Sequence, residues 1–155
     1  MVELAAFAAD CRVSGLVEVG DGRVSDLLND NPAIVFRDAH LDALAYGHRV
    51  EVPELEVGRD ELCAVVATGR RGDPGKRVHT RRVRVEAAVG PYVVRGFAHS
   101  SATFDPFIPG LRRVPWVPVT DATVRYESEG RSVVELVGTL IVNRPLATRF
   151  AAATD

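Results

Sequence analysis

The sequence feature that most limits the possible folds is an internal repeat. Residues 32–41, PAIVFRDAHL, and residues 115–124, PWVPVTDATV, both open with Pro, continue with alternating apolar residues and reach Asp-Ala six positions later. Upstream, Gly15 and Gly96 precede the two prolines by 17 and 19 residues. A repeated supersecondary unit has an apolar face that needs a partner, and the other copy can provide it. The pattern therefore predicts an internal duplication, with chance similarity between two Val-rich segments as the alternative.

Each copy is expected to end in an apolar run closed by Arg, at 62–70 in the first and at 138–144 in the second. These runs follow Asp38 and Asp121 at different intervals, which indicates that a loop was inserted or lost between the copies. The predicted organisation has three parts: a first β repeat at 1–69, a basic linker at 70–81 and a second β repeat at 82–155.

Most of each copy has the pattern of β-strands. The Val-rich runs place β-branched residues at alternate positions, and clusters of Gly and Pro separate them. Helical spacing is brief, at Val24, Leu27 and Leu28, where Ser25 could cap a turn or two of helix. The predicted fold class is mainly β: two tandem similar small β-barrel or sandwich units, packed together with little helix.

The repeated Pro and Asp are expected to have structural roles. Pro lacks a backbone N–H and is tolerated at the first position of a strand, so Pro32 and Pro115 are predicted to begin equivalent strands. Asp38 and Asp121 then fall where those strands change direction, with carboxylates that accept backbone N–H groups of a turn. This role is favoured over a catalytic pair, because duplication would place the two aspartates far apart.

Short segments along the chain carry a family resemblance: SDLLN at 25–29, the strands ending in Asp-Ala at 38–39 and 121–122, and VNR at 142–144. In this order they resemble an uncharacterised bacterial family of small β-rich domains of unknown function. The second copy departs from that pattern, with FDPFIP where the first has SDLLND. What the resemblance implies is a compact bacterial domain, and it brings no reaction or cofactor with it.

Bulk composition places the chain among ordinary globular proteins. Its 155 residues and 46% apolar content are enough to bury a core. Its net charge of -2 is too small to indicate a class of partner. Two cysteines are too few for a disulfide framework or a thiolate zinc site, and no cofactor is expected. No apolar run is long enough to span a membrane, and Glu3 stands where a signal peptide would be basic. The sequence therefore predicts a cytoplasmic protein with no membrane association.

A basic segment at 69–84 is the main candidate for binding nucleic acid. It carries a formal charge of +6, so the rest of the chain carries -8. Cationic side chains neutralise phosphates and gain affinity through counterion release. The alternative is a linker that its charge keeps solvated, with Arg82 and Arg84 on the wet face of a strand. The candidate nucleic-acid-binding residues are Arg70, Arg71, Lys76, Arg77, Arg81, Arg82 and Arg84.

A second segment, residues 104–119, combines aromatic residues, prolines and two arginines. Aromatic and Arg side chains dominate the energetics of protein interfaces, so this composition is typical of a contact surface. The alternative is that its aromatic residues fill the core of the second unit. The expected partner is another copy of the same chain, because closed homo-oligomers are the commonest assemblies. The candidate interface residues are Phe104, Phe107, Arg112, Arg113 and Trp116.

Enzymatic readings are the least favoured. His40 and His48 precede Glu51, and imidazole with carboxylate suits divalent metals, but the spacing matches no established ligand set. His99 lies beside two serines and near Asp105, and a hydrolytic set would require these groups to converge in space.

The favoured hypothesis is a non-enzymatic binding or assembly module that self-associates or docks a protein partner. A nucleic-acid-binding module that uses the basic linker is the alternative, and a small hydrolase or metal enzyme comes third. Salt discriminates between the first two, because phosphate contacts lose affinity steeply as salt is added.

Overall fold

A computed structural model of the protein describes residues 1–20, 22–67, 80–101 and 115–153. One helix, α1, spans Val24–Asp30. The strands are β1 (Val2–Ala8), β2 (Cys11–Val17), β3 (Ala33–Ala43), β4 (Arg49–Gly58), β5 (Leu62–Val66), β6 (Thr80–Val89), β7 (Tyr92–Ser101), β8 (Trp116–Ser128), β9 (Arg131–Asn143) and β10 (Ala147–Ala152). Short 3-10 turns at Arg59–Glu61 and Arg144–Leu146 precede β5 and β10. The prediction of a mainly β protein is confirmed.

The ten described strands form one antiparallel sheet in the order β10-β6-β7-β8-β9-β5-β1-β2-β3-β4. The sheet does not close, so β10 and β4 are its two edges. The strands are connected largely by tight turns, which suits antiparallel pairing. This order groups β1 to β5 on one side and β6 to β10 on the other.

Both groups have the same internal order. The first runs β5-β1-β2-β3-β4 and the second runs β10-β6-β7-β8-β9. In each group, the strand that comes first in the sequence pairs with the second and the fifth strands of that group. The fourth strand of each group lies at the side farthest from the fifth. The two groups meet where β9 pairs with β5. We refer to them as the first half and the second half of the sheet.

Corresponding backbone features recur at the bend of each half. Gly15 in β2 lies opposite a register shift in β3, and Gly96 in β7 lies opposite a register shift in β8. A Cβ on Gly15 would lie 2.9 Å from the carbonyl oxygen of Arg37, and a Cβ on Gly96 would lie 2.7 Å from that of Thr120. No L-residue side chain fits so close to a backbone atom. These glycines are therefore required by the close approach of the neighbouring strand.

Asp38 and Asp121 are the bulged residues of β3 and β8, at the register shifts. Asp38 has φ 48° and Asp121 has φ 47°, in the left-handed region that Asp tolerates better than most residues. The predicted change of strand direction is confirmed at both positions. The expected turn contact differs, because the Asp121 carboxylate accepts from the Arg82 guanidinium at 3.1 Å. Pro32 and Pro115 lie immediately before β3 and β8, as predicted.

Two apolar clusters fill the core, and each takes residues from both halves. Phe7 of β1 packs in the second half's cluster, where its ring lies 5.1 Å from that of Tyr92 and 5.9 Å from that of Tyr126. Trp116 of β8 packs in the first half's cluster, which also contains Leu28 of α1. The Tyr92 hydroxyl donates to the carbonyl oxygen of Ala8 at 2.5 Å and links the halves again. The halves therefore share their cores across the β9–β5 pair.

Two details of the sequence interpretation are corrected. The apolar runs at 62–70 and 138–144 do not hold matching places in the strand order, because β5 is the fifth strand of its group and β9 is the fourth of its own. Helix α1 forms at the expected residues, but it begins after Arg23, whose N–H donates to the Asp26 carboxylate at 3.1 Å, and Ser25 is not its cap. The predicted linker falls mostly on residues outside the described ranges.

Candidate assembly interface

The two edge strands present the largest unpaired backbone surface of the described sheet. An edge strand exposes a row of N–H and C=O groups that another strand can pair with. β4 pairs with β3 on one side only, and β10 pairs with β6 on one side only. The candidate site of this chain is therefore divided between the two ends of the sheet.

The β9–β5 pair shows how such edges can be joined. Ala64 lies opposite Val142, Val65 opposite Ile141 and Val66 opposite Leu140. The backbone N–H of Ala67 donates to the carbonyl oxygen of Thr139 at 2.9 Å. Nearly all of these side chains are buried, so the pair combines backbone hydrogen bonds with a dry apolar contact.

The β4 edge is acidic. Its exposed side chains include Glu51, Glu54 and Glu56, against a single cation at Arg49. Leu55 is half-buried and Val57 is buried, so the strand alternates between a core face and a charged face. Pro53 lies within β4, and proline within sheets is largely confined to edge strands because it has no backbone N–H to donate.

The β10 edge is basic and partly aromatic. Arg149 is exposed, and Phe150 is half-buried with the Arg144 guanidinium 4.8 Å from the centre of its ring. Cation–π stacking of this kind holds the guanidinium over the ring face. Ala151 and Ala152 complete the strand with small side chains that leave the backbone accessible. The two edges of one molecule thus carry opposite charge.

The one described aromatic residue of the predicted interface segment, Trp116, is buried and not part of an exposed contact surface. Trp116 is 2% exposed, so it is buried as the alternative expected, but it lies in the first half's core cluster and not in that of the second half. Phe104, Phe107, Arg112 and Arg113 lie outside the described residues. Sequence reasoning did not single out β4 and β10, although Pro53 between glutamates is a recognisable edge signal.

Two of the predicted nucleic-acid-binding residues form a basic surface on β6. Arg82 and Arg84 are exposed and alternate with Val83 and buried Val85, as predicted. The Arg82 guanidinium lies 4.0 Å from the centre of the Phe97 ring on β7, and that of Arg84 lies 5.6 Å from it. Strand pairing therefore supplies an aromatic neighbour that the linear sequence did not show.

This basic surface borders a shallow cavity of about 270 Å³, lined by Arg84, Arg95, Gly96, Phe97, Asp121, Thr123 and Ala153. Arg82 is paired with Asp121 and Arg95 with Glu86, at 3.1 and 2.8 Å. Part of the positive charge is thus already balanced within the molecule. Arg81 is the second residue of β6. The remaining predicted residues, Arg70, Arg71, Lys76 and Arg77, lie outside the described ranges.

His40 and His99 do not converge. The His40 Nδ1 atom lies 3.2 Å from a Glu51 carboxylate oxygen, and the His99 Nε2 atom lies 2.8 Å from the Thr120 hydroxyl oxygen. Their strands, β3 and β7, are separated by five others in the sheet. Within the described ranges, no three His, Cys, Asp or Glu residues are grouped to hold a metal ion.

Both cysteines are free thiols. Burial raises the pKa of the Cys63 thiol, and burial with the neighbouring Asp10 raises that of Cys11 to about 11. A thiol is nucleophilic only as the thiolate, so neither cysteine is activated near neutral pH.

Comparison of the chain with family models, with curated proteins and with solved structures finds no match. Within the described ranges, no helix has the length and apolar character needed to cross a membrane.

Proposed function

We propose that the protein is a non-enzymatic assembly module that associates with further copies of itself. The observation that carries this proposal is the open sheet, whose acidic edge strand β4 and basic edge strand β10 lie at opposite ends. Strand addition to an exposed edge supplies a ladder of backbone hydrogen bonds, and charge selects which edges meet.

The proposal includes an internal duplication of a five-stranded unit. The recurring strand order supports it, as do the matched glycines at 15 and 96 and the matched left-handed aspartates at 38 and 121. The 3-10 turns add a further match: Arg59 and Arg144 each donate a backbone N–H, to Pro32 and Pro115 respectively, at 3.0 Å. Shared cores make the two units one cooperative body.

A nucleic-acid-binding module is the second candidate. It is favoured by the exposed Arg82 and Arg84 stacked around Phe97, because a guanidinium on an aromatic ring suits both phosphates and bases. The pairing of Arg82 with Asp121 weighs against it, since that carboxylate would repel phosphate.

The experiment that separates the candidates is the solution mass measured by light scattering at low and high salt, with and without a mixed nucleic-acid pool. An oligomer that is indifferent to nucleic acid supports the assembly module. A monomer that gains mass on nucleic acid only at low salt overturns it in favour of the second candidate. A monomer under every condition overturns both candidates and leaves the docking of a different protein to be sought.

We also propose a cytoplasmic location. The two free cysteines support it, because unpaired thiols persist in reducing compartments. Localisation of a tagged full-length chain in its native cell, by fractionation, tests this proposal.

A further inference from the structure

The β9–β5 pair joins strands of two different types. β9 is the fourth strand of the second half, as β4 is of the first, and β5 is the fifth strand of the first half, as β10 is of the second. A fourth-type strand of one half therefore pairs with a fifth-type strand of the other. The two unpaired edges of the described sheet, β4 and β10, are one strand of each type.

We propose that β4 of one copy pairs antiparallel with β10 of the next copy, in the register of the β9–β5 pair, so that copies follow head to tail in a closed ring. This inference rests on the proposed function of self-association and names the strands, the register and the symmetry. Its basis is repetition: the contact that joins two halves within a copy also joins two copies.

The register follows from matching strand positions between the halves. Val57 lies opposite Ile34 in the first half as Val142 lies opposite Val117 in the second. Phe150 lies opposite Ala87 as Val65 lies opposite Ala6. Transferring the three observed pairs of β9 and β5 gives three pairs between copies: Val57 with Arg149, Glu56 with Phe150, and Leu55 with Ala151.

The backbone groups of β10 point in the required direction. At the β9–β5 pair, the hydrogen bond runs from Ala67 to Thr139, which correspond to Ala152 and Glu54. The N–H of Ala153 donates inward to the Arg84 carbonyl oxygen at 3.0 Å, so Ala152 directs its own groups outward, because successive residues of a strand alternate.

Two of the three side-chain pairs at this register complement one another. Leu55 meets the small Ala151 on one face of the sheet. On the other face, Glu56 meets Phe150, over which the Arg144 guanidinium is stacked. A carboxylate beside a stacked guanidinium is a favourable ion pair. The contact is more polar than the β9–β5 pair, which suits edges that must also stay soluble before assembly.

Charge also disfavours the symmetric alternatives. Pairing β4 with β4 would bring glutamates of one edge against glutamates of another, and pairing β10 with β10 would oppose arginines. Like charges directly opposite one another destabilise a strand pair. The contact is thus between two different surfaces. Repeating such a contact gives a ring if the rotation from one copy to the next closes on itself, and a filament if it does not. We choose the ring because most soluble homo-oligomers have closed symmetry.

Disulfide trapping between mixed variants tests the pairing. Two variants are made with Cys11→Ser, one with Leu55→Cys and the other with Ala151→Cys, and their folding is checked by circular dichroism. The proposed pair is a non-hydrogen-bonded antiparallel pair, whose Cα separation of about 4.5 Å lies within the disulfide range. If either variant fails to fold, the exposed positions Glu54→Cys and Ala152→Cys form the second pair.

The expected result under mild oxidation is that neither variant crosslinks alone and that the mixture yields covalent dimers containing one of each. Crosslinking of Leu55→Cys with itself would overturn the head-to-tail arrangement. A native oligomer whose mixture does not crosslink would overturn the inference and leave self-association standing. A monomer by light scattering at all concentrations would overturn the proposed function as well.

Ring closure is tested with a chain that carries both cysteines. Oxidation is expected to give a series of covalently linked multimers that ends at one largest species. The mass of that species should equal the native mass measured by light scattering. A ladder without a largest species, or a native mass that grows steadily with concentration, would overturn closure in favour of a filament.

A charge variant tests the contact without crosslinking. Glu56→Lys is expected to raise the concentration at which half the protein is assembled by at least about tenfold, because it places a cation beside Arg144. The matched control is Glu127→Lys, which makes the same change at an exposed position of β8, an inner strand of the sheet, and should assemble as the original chain does. Equal effects of the two substitutions would contradict the register.

Discussion

At the residue scale, the bends of the sheet depend on single positions where a strand lies against its neighbour's backbone. Gly96 faces the bulge that contains Asp121, and a side chain there would have no space. Gly15 and Asp38 repeat the arrangement in the first half. The paired Gly and Asp that recur in the sequence are therefore requirements of one backbone geometry used twice.

We expect Gly96→Ala to lower the free energy of unfolding by about 1–3 kcal/mol, because the added methyl group forces the neighbouring strand to shift. Its Cβ would lie 2.6 Å from the Val119 side chain and 2.7 Å from the Thr120 carbonyl oxygen. The control is Gly22→Ala, whose Cβ would lie 3.6 Å from the nearest atom, in ordinary contact. Urea unfolding of both variants measures the difference, and equal midpoints would contradict this account.

Two buried tyrosines are expected to make stability fall at high pH. Burial, then a hydrogen bond to Glu135, raises the pKa of Tyr126 to about 12, and burial also raises the pKa of Tyr92. In the unfolded chain a tyrosine loses its proton near pH 10, so above that pH deprotonation favours unfolding until the folded pKa is passed. The stabilisation that the two protonated tyrosines give to the folded state is therefore fully present below about pH 10.

The measurement is the urea midpoint at pH 8, 10 and 11 for the original chain and for the double variant Tyr92→Phe, Tyr126→Phe. We expect the original chain to lose more stability between pH 10 and 11 than the variant does. The cysteines are common to both chains, so their titration does not alter the comparison. Parallel pH profiles would show that the tyrosines are not the cause.

At the element scale, the helix is held by the 3-10 turn that follows β4. The Arg59 guanidinium donates to the carbonyl oxygens of Leu28 and Asn29 at 3.1 and 2.9 Å. These are carbonyls of the last turn of α1, which have no partner within the helix. A seven-residue helix is too short to be stable alone, so its position depends on this contact and on the burial of Leu28.

We expect Arg59→Ala to lower the free energy of unfolding by about 1.5–3 kcal/mol, the range for hydrogen bonds to a charged donor. Arg59→Lys should recover part of the loss, because both bonds come from the single nitrogen Nη1, whose place an ammonium on a differently shaped side chain can take only in part. The exposed Arg125 provides a control, since Arg125→Ala is a surface change expected to stay within about 0.5 kcal/mol. Thermal denaturation followed by circular dichroism makes the comparison, and similar losses for Arg59→Ala and Arg125→Ala would refute the capping role.

At the scale of the whole molecule, the exchange of core residues between halves couples their stability. Phe7 of the first half is fully buried in the second half's cluster, and Trp116 of the second half is buried in the first half's cluster. Neither half can lose its packing without exposing part of the other. The molecule should therefore unfold as one unit although its sheet has two similar parts.

We expect urea unfolding followed by Trp116 fluorescence to coincide with unfolding followed by far-ultraviolet circular dichroism. Trp116 is the only tryptophan, so its emission reports the first half's cluster alone. Phe7→Ala should cost about 3–5 kcal/mol and move both transitions equally, although Phe7 packs in the other cluster. Separate transitions in either chain would show that the halves unfold independently.

Local features of the sequence were sufficient to identify the strands and several of their side-chain directions. The alternation of Arg82 and Arg84 with valines placed both arginines on the exposed face, because side-chain direction in a strand has a period of two. Pro32, Pro115 and the Asp-Ala pairs marked where strands begin and bend, since these residues restrict backbone dihedrals locally. Helix α1 was predicted from three apolar positions at helical spacing.

Only the tertiary structure decided which strands are neighbours and what each edge carries. β5 is apolar at every position, so its periodicity names no partner, and its pairing with β9 depends on contacts between residues far apart in sequence. For the same reason, composition could not show that Arg82 stacks on Phe97 or that Trp116 is buried in the first half's cluster. The sequence by itself determined the strands of this protein, because dihedral preference and alternation are local, whereas strand order and the two open edges of the described sheet arise from non-local packing.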